Sequence, residues 1–241
     1  MKIALGLLLI FFVVWTNSID AEYVFKPKKI FQNYESIDGL RTMKVDINYL
    51  VIKNEQNPEA AQKIRQTVLC ALDSCSQNYK NICNDFLKMY RVVENEFDEG
   101  DRSLSISVKH VPSSRYICMI LTEWTYTGGL HGIYWSAYFV FDKKTGEQLE
   151  IDQIFPLSYM PKLTKMAEKE LRRLYGVSRL ETYEDKGLFL KEFYLPDNFL
   201  ITDKALIFLY NVYEIAPFSD GGITLEIPLS KLASMAKNTF I

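Results

Sequence analysis

Between Leu104 and Phe141 the chain carries three strand-type segments in close succession, and nothing else in the sequence constrains the fold as strongly. Leu104, Ile106 and Val108 alternate with polar neighbours, and Tyr116 to Thr127 and Ile133 to Phe141 are long β-branched and aromatic runs. That pattern suits a pleated, at least half-buried surface and does not suit a helix, whose apolar stripe would recur every three to four residues. Met43, Val45, Ile47, Tyr49 and Val51 repeat the alternation upstream. Downstream, Phe193 to Thr202, Ala205 to Tyr213 and Gly222 to Pro228 read as further strands. Leu206 to Tyr210 is apolar on both faces, which marks a central strand covered on each side.

Helical spacing appears in blocks between these strands. Asn57-Pro58-Glu59 supplies a cap, a proline suited to the first turn and an acid near the positive end of the dipole, ahead of Ala61, Ile64, Val68 and Leu72. Tyr79, Ile82, Phe86, Tyr90 and Val93 form a second stripe, and Leu163 to Leu174 a third, with Gly176 as its stop. Asp142 to Gly146 is a turn through which the preceding strand folds back over Gln148 to Ile151. The expected fold is α+β: mainly antiparallel sheet packed against two to three amphipathic helices. The polar stretch from Tyr175 to Gly187 divides residues 22–175 from residues 176–241, the second part completing one compact unit with the first.

The N-terminus adds a statement about location. Lys2 precedes an unbroken apolar run from Ile3 to Trp15, then Thr16 to Asp20 and the small residue Ala21. A positive start, a short apolar stretch and a small residue make a secretory signal peptide over residues 1–21, cleaved near Ser18 or Ala21. A membrane-spanning helix needs about 17–25 apolar residues, more than this run provides, so the mature protein is expected to be periplasmic or secreted and without a membrane span. Export makes cysteine oxidation possible, and Cys75 and Cys83, on either side of the connection between the first two helices, are the best candidates for a local disulfide. Cys70 and Cys118 lie in apolar elements and suit buried thiols.

Composition excludes several roles. With 28 Lys and Arg against 30 Asp and Glu in 241 residues, the formal charge of -2 gives no basic surplus for nucleic acid. Two histidines, His110 and His131, are too few and too far apart for a histidine-based zinc site, so neither metal nor cofactor is expected. No nucleophile elbow, Walker loop or dinucleotide-binding glycine turn occurs, and the residues favour a non-catalytic role.

One segment stands apart: Trp124-Thr-Tyr126-Thr-Gly128-Gly129-Leu-His131-Gly132-Ile-Tyr134-Trp135. Its glycines suit a tight connection between two strands, with His131 hydrogen-bonded to the loop. The same residues also form a rim of rings suited to stacking on a sugar or a partner protein, making Trp124, Tyr126, Gly128, Gly129, His131, Gly132, Tyr134 and Trp135 the candidate binding residues. The alternative is an envelope-glycan esterase or hydrolase, with His131 as base and Glu214 or Asp220 as the orienting carboxylate. A third possibility is a structural envelope protein in which the motif only shapes the fold.

Tyr126 to Gly132 resembles the Tyr-Thr-Gly-Gly-Ala-His-Gly signature of the exported domains shared by RsiV-type lysozyme-sensing anti-sigma factors and PdaC-type peptidoglycan deacetylases, with Leu130 replacing the usual Ala. Phe141-Asp-Lys-Lys-Thr-Gly146, the short element Ile151 to Phe155, Phe199 to Leu206, Tyr213-Glu-Ile-Ala-Pro-Phe-Ser-Asp-Gly221 and Ile227 to Leu232 are similar to that family's following segments, in its order. The resemblance implies an accessory exported module that binds a lysozyme-like protein, peptidoglycan or another envelope glycan. The family's cytoplasmic signalling segment and its metal-dependent catalytic domain have no counterpart in these residues.

Overall fold

A computed structural model describes residues 19–20, 23–35, 42–72, 78–91 and 100–232. The apolar run Ile3 to Trp15, both expected cleavage positions, Cys75 and most of the acidic stretch before Asp101 lie outside the described residues. Six strands form one sheet in chain order: β1 (Ile19–Asp20), β2 (Tyr23–Glu35), β3 (Thr42–Lys53), β4 (Arg102–Val111), β5 (Tyr116–Tyr126) and β6 (Ile133–Asp142). Neighbours are antiparallel except β3 and β4, which run parallel. A parallel pair needs a crossover, and α1 (Pro58–Cys70) with α2 (Tyr79–Arg91) supplies it.

The start of α1 forms as its residues dictate. Asn57 Oδ1 accepts the Ala60 N–H at 3.1 Å while Asn57 Nδ2 donates to Lys144 O at 2.7 Å, so one side chain caps the helix and ties it to the turn after β6. Asn57→Ala is expected to lower stability by about 1 kcal/mol, read as a shifted urea midpoint with an unchanged denaturant slope.

After β6 come α3 (Ile151–Ile154), α4 (Met160–Tyr175) and a second, antiparallel sheet of β7 (Phe199–Ile201), β8 (Ala205–Tyr210) and β9 (Ile223–Pro228), with β8 in the centre. Gly176 closes α4 in the left-handed conformation at φ 62°. The fold is thus α+β with a predominantly antiparallel arrangement, and the apolar positions sort into two cores. Val45, Ile47, Leu104, Ile106, Leu121 and Phe141 turn to one face of the large sheet and meet Ile64 and Val68 of α1. Cys118 and Val140 turn to the other face and meet Leu163, Ala167 and Leu171 of α4 together with Phe199, Phe208 and Leu225 of the small sheet. β5 and β6 are therefore packed on both sides.

Several segments depart from the pattern read in the sequence. β2 has 13 residues but shows no clear alternation, because beyond the Tyr23–Val24 pairing with β1 it runs along the sheet edge and exposes Lys26, Lys28, Lys29, Phe31, Gln32 and Asn33. The strand expected from Phe193 shortens to three residues, since Pro196 has no N–H to donate and the Asn198 side chain turns to β6. β8 stops at Tyr210, before Tyr213 takes φ 64°. The return strand after Gly146 is a single bridge from Gln148 to Phe141, replaced from Ile151 by α3. α4 shares one core with the small sheet and with Tyr116, Cys118 and Val140 of the large sheet.

Cys70, Cys83 and Cys118 are free thiols. Cys83, expected to bridge Cys75, is a buried part of the α1 and α2 core. Cys118 donates to Ile201 O at 3.0 Å, and burial pushes its thiol up to about 12.

The outer edge of β6 is held by two side chains. Asn198 Oδ1 accepts from Tyr138 N–H and Asn211 Oδ1 from Ser136 N–H, both at 2.7 Å, while both side-chain amides donate to Ser136 O at 2.8 and 3.1 Å. This pairing fixes residues 211–222, the strap between β8 and β9, against the end of the large sheet.

Candidate functional site

The glycine-rich segment is the connection from β5 to β6, and register decides where its aromatic residues point. Trp124 pairs with Tyr134 across the two strands, and Tyr126 lies two residues on from Trp124, so these three rings share the face turned toward the C-terminal half. Trp135 pairs with Glu123 on the opposite face and packs beside Ala137 against the α1 and α2 core. The expected rim is thereby split, and Trp135 is removed from it by the two-residue period of the strand.

Each glycine of the motif has a local task. A Cβ on Gly132 would lie 2.6 Å from Cζ2 and 2.7 Å from Cε2 of Trp124, so the bare backbone rests on the indole. Gly128 has φ 96°, and a Cβ there would come within 2.6 Å of Nη1 of Arg102, a buried side chain that also donates to Asp101 O at 3.1 Å. Gly129 has the same φ with open space around it, and its carbonyl accepts the Tyr126 hydroxyl at 2.9 Å. Trp124 and Tyr126 are stacked at 6.2 Å with planes 21° apart. The loop thus clamps two rings of β5 into a fixed aromatic wall.

The histidine belongs to a second cluster. Nδ1–H of His131 donates to Gly132 O at 2.8 Å, and the imidazole stacks on Phe218 at 4.3 Å. Phe218 also touches Tyr134 edge-on at 6.0 Å and Tyr213 at 5.5 Å, and the Tyr134 hydroxyl accepts the Gly222 N–H at 3.1 Å. The strap therefore covers Tyr134 and stops short of Trp124. Leu130 at the loop tip is fully exposed, and Tyr213, which packs on Phe218, is half-exposed. Phe218 and Tyr213 were not singled out as binding residues in the sequence. The available signal was the Tyr213 to Gly221 segment, whose rings acquire meaning only when the chain brings it 80 residues back to the loop.

The carboxylates of the hydrolase alternative are engaged elsewhere. Glu214 accepts from the Tyr194 hydroxyl at 3.0 Å and from the Asn211 N–H at 2.8 Å. Asp220 accepts from the Tyr175 hydroxyl at 3.0 Å and the Ser219 hydroxyl at 3.2 Å. Burial first, and the neighbouring carboxylate second, push both phenols up to about 12, so they stay protonated donors at neutral pH. These pairs brace the strap, whereas His131 is exposed, with its ring stacked on Phe218 and Nδ1 bonded to the loop backbone. Among the described residues no group of three or more His, Cys, Asp or Glu side chains could hold a metal ion, and no helix is long and apolar enough to cross a membrane.

Residues 152–230 match the model of a family described as Protein of unknown function (DUF3298). That segment starts at α3 and ends just after β9, so it coincides with the α4 and small-sheet half. No curated protein matches the chain. The fold is shared with a DUF3298 family member from Bacteroides fragilis, at a TM-score of 0.71 and 17% identity over 89% of this chain and 94% of that one. A DUF3298 family protein from Pseudomonas aeruginosa PAO1 is similar at a TM-score of 0.66 and 17% identity, over 90% of this chain and 96% of that one. At such identity the likeness shows the fold.

Proposed function

We propose that this chain is an exported, non-catalytic binding module that recognises cell-envelope glycan through the wall formed by Trp124 and Tyr126. The observation that carries this reading is the Gly132 backbone seated on the indole: the motif spends a glycine to hold a large, part-exposed aromatic ring in place. A sugar ring presents C–H groups to such a surface, and a platform already fixed loses little entropy when it stacks. The proposal includes removal of residues 1–21 as a signal peptide, which would bring the module to the periplasm or beyond, and kinship with the RsiV-type and PdaC-type exported domains.

A second reading, recognition of a lysozyme-like protein, is favoured by a different observation. Leu130 and Tyr213 are exposed apolar side chains beside the stacked His131 and Phe218, and such side chains bury well against another protein.

Sedimentation with insoluble peptidoglycan and capture on immobilised lysozyme separate the two. The purified chain is expected to sediment with peptidoglycan, and Trp124→Ala to lose at least tenfold in affinity, with Trp124→Phe, which keeps a ring beneath Gly132, retaining part of it. Capture on lysozyme that Leu130→Asp removes and Trp124→Ala spares would select the protein reading instead. Retention on neither support would overturn both.

A further inference from the structure

Beyond the loop, the same face of the large sheet continues across four strands. Register places Phe31 of β2, Asp46 of β3, Ser105 of β4 and Trp124 of β5 in one row perpendicular to the strands. The two ends of the row are aromatic and open to solvent, Phe31 at 53% and Trp124 at 36% exposure, and the side chains between them are polar. Three strand spacings of about 4.8 Å put the end positions roughly 14 Å apart. α1 and α2 lie on the opposite face, and the strap reaches only as far as Tyr134.

A sheet covered on one side leaves its other face to water, and a polar row alone would be read that way. Here two large rings stand part-exposed in register with each other: Trp124 is held by the loop, and Phe31 is flanked by Lys29 and Lys44, whose ammonium groups lie 5.5 and 5.8 Å from its ring centre. Between them the hydrogen-bonding groups are ready-made: Lys29 pairs with Asp46 at 3.1 Å, and Asn48 Nδ2 donates to the second oxygen of Asp46 at 2.8 Å. The ion pair neutralises the carboxylate, so this stretch offers dipoles and hydroxyl-type partners more than a net field. Beside it is a shallow depression of about 230 Å³ lined by Pro27, Lys28, Lys29 and Asn48.

We propose that this row is a binding track for an extended, uncharged polysaccharide chain, laid across the strands at about one sugar ring per strand, with its outer rings on Trp124 and Phe31. The inference rests on the glycan reading of the Trp124 wall and extends it by three strands. The charges of the row are engaged within it, Lys29 with Asp46 and Lys44 against the Phe31 ring, which suits an uncharged chain, and continuity with the wall gives that chain a direction.

Calorimetric titration of the full chain with chito-oligosaccharides of two, four and six units tests it. Affinity is expected to tighten at least tenfold from two units to four and to level off after that. Phe31→Ala should return the four-unit ligand to the affinity of the two-unit one, and Trp124→Ala should remove both. Phe31 is exposed, so its replacement is expected to leave the unfolding midpoint in place, which the same samples check. Binding that depends on Trp124 yet ignores both chain length and Phe31 would overturn the track and leave the wall. Absence of binding at every length would overturn the track and the glycan reading together.

Discussion

Phe208→Ala is expected to destabilise the protein by about 3–5 kcal/mol, read as a large drop in the urea midpoint. Phe208 has no solvent exposure and sits in the middle of β8, the central strand of the small sheet. Its ring meets Phe199 across the strand pair at 6.3 Å, within the core that also contains Leu163, Ala167 and Leu171 of α4 and Cys118 of β5. Truncation removes contacts from three layers at once, and none of the three can close the void without moving a whole element. Because the strap hangs between β8 and β9, loosening β8 should also weaken the packing of Phe218 on His131. A loss below about 1 kcal/mol would mean that the small sheet is not integral to the fold.

Gly146→Val should cost about 3 kcal/mol or more, through backbone geometry and not through a cavity. Gly146 has φ 69°, and a Cβ there would lie 2.4 Å from the Ala60 carbonyl oxygen and 2.7 Å from the Ala60 Cα. Both are backbone atoms in the first turn of α1, so no side chain can swing aside. The turn is tied to that helix by the Asn57 contact with Lys144 O and by Lys63 with Glu147 at 2.6 Å, hence relief would separate β6 from α1. Gly176→Ala is the matching control: its φ of 62° is equally left-handed but nothing lies within 4 Å, and only about 1–2 kcal/mol of conformational cost is expected. Equal unfolding midpoints for the two variants would remove the close approach as the reason for Gly146.

These sites show how far the sequence could be read. β3, β4 and β9 were legible because one face is buried and the other is not, which writes a period of two, and β5 and β6, packed on both sides, were legible as long β-branched and aromatic runs. α1 and α4 were legible from their caps, Asn57 and Gly176, as well as from their stripes. β2 was not, because an edge strand with lysines on exposed positions carries little hydrophobic pattern, and the parallel pairing of β3 with β4 leaves no local mark at all. In the candidate site the loop itself was evident from Gly128, Gly129 and Gly132. Trp135 lies on the face opposite Trp124 by one residue of strand parity, a distinction that needs the pairing of Glu123 with Trp135. Phe218, Tyr213 and Phe31 enter only through contacts or register that span 80 residues or more, and no window along the chain contains both partners.

The two asparagines against β6 bear on how the protein coexists with copies of itself. A sheet that ends in unpaired backbone is a template on which a neighbouring molecule can add its own strand. At one border that template is already filled by the amide groups of Asn198 and Asn211, which imitate the strand that would otherwise arrive. At the other, past the two-residue β1, β2 carries Pro27, which has no hydrogen to donate, among Lys26, Lys28 and Lys29, whose charges would have to be brought together in any edge-to-edge contact. The large sheet is closed to growth at both ends by different chemistry, so it can hold a broad face open to solvent without recruiting another sheet to cover it.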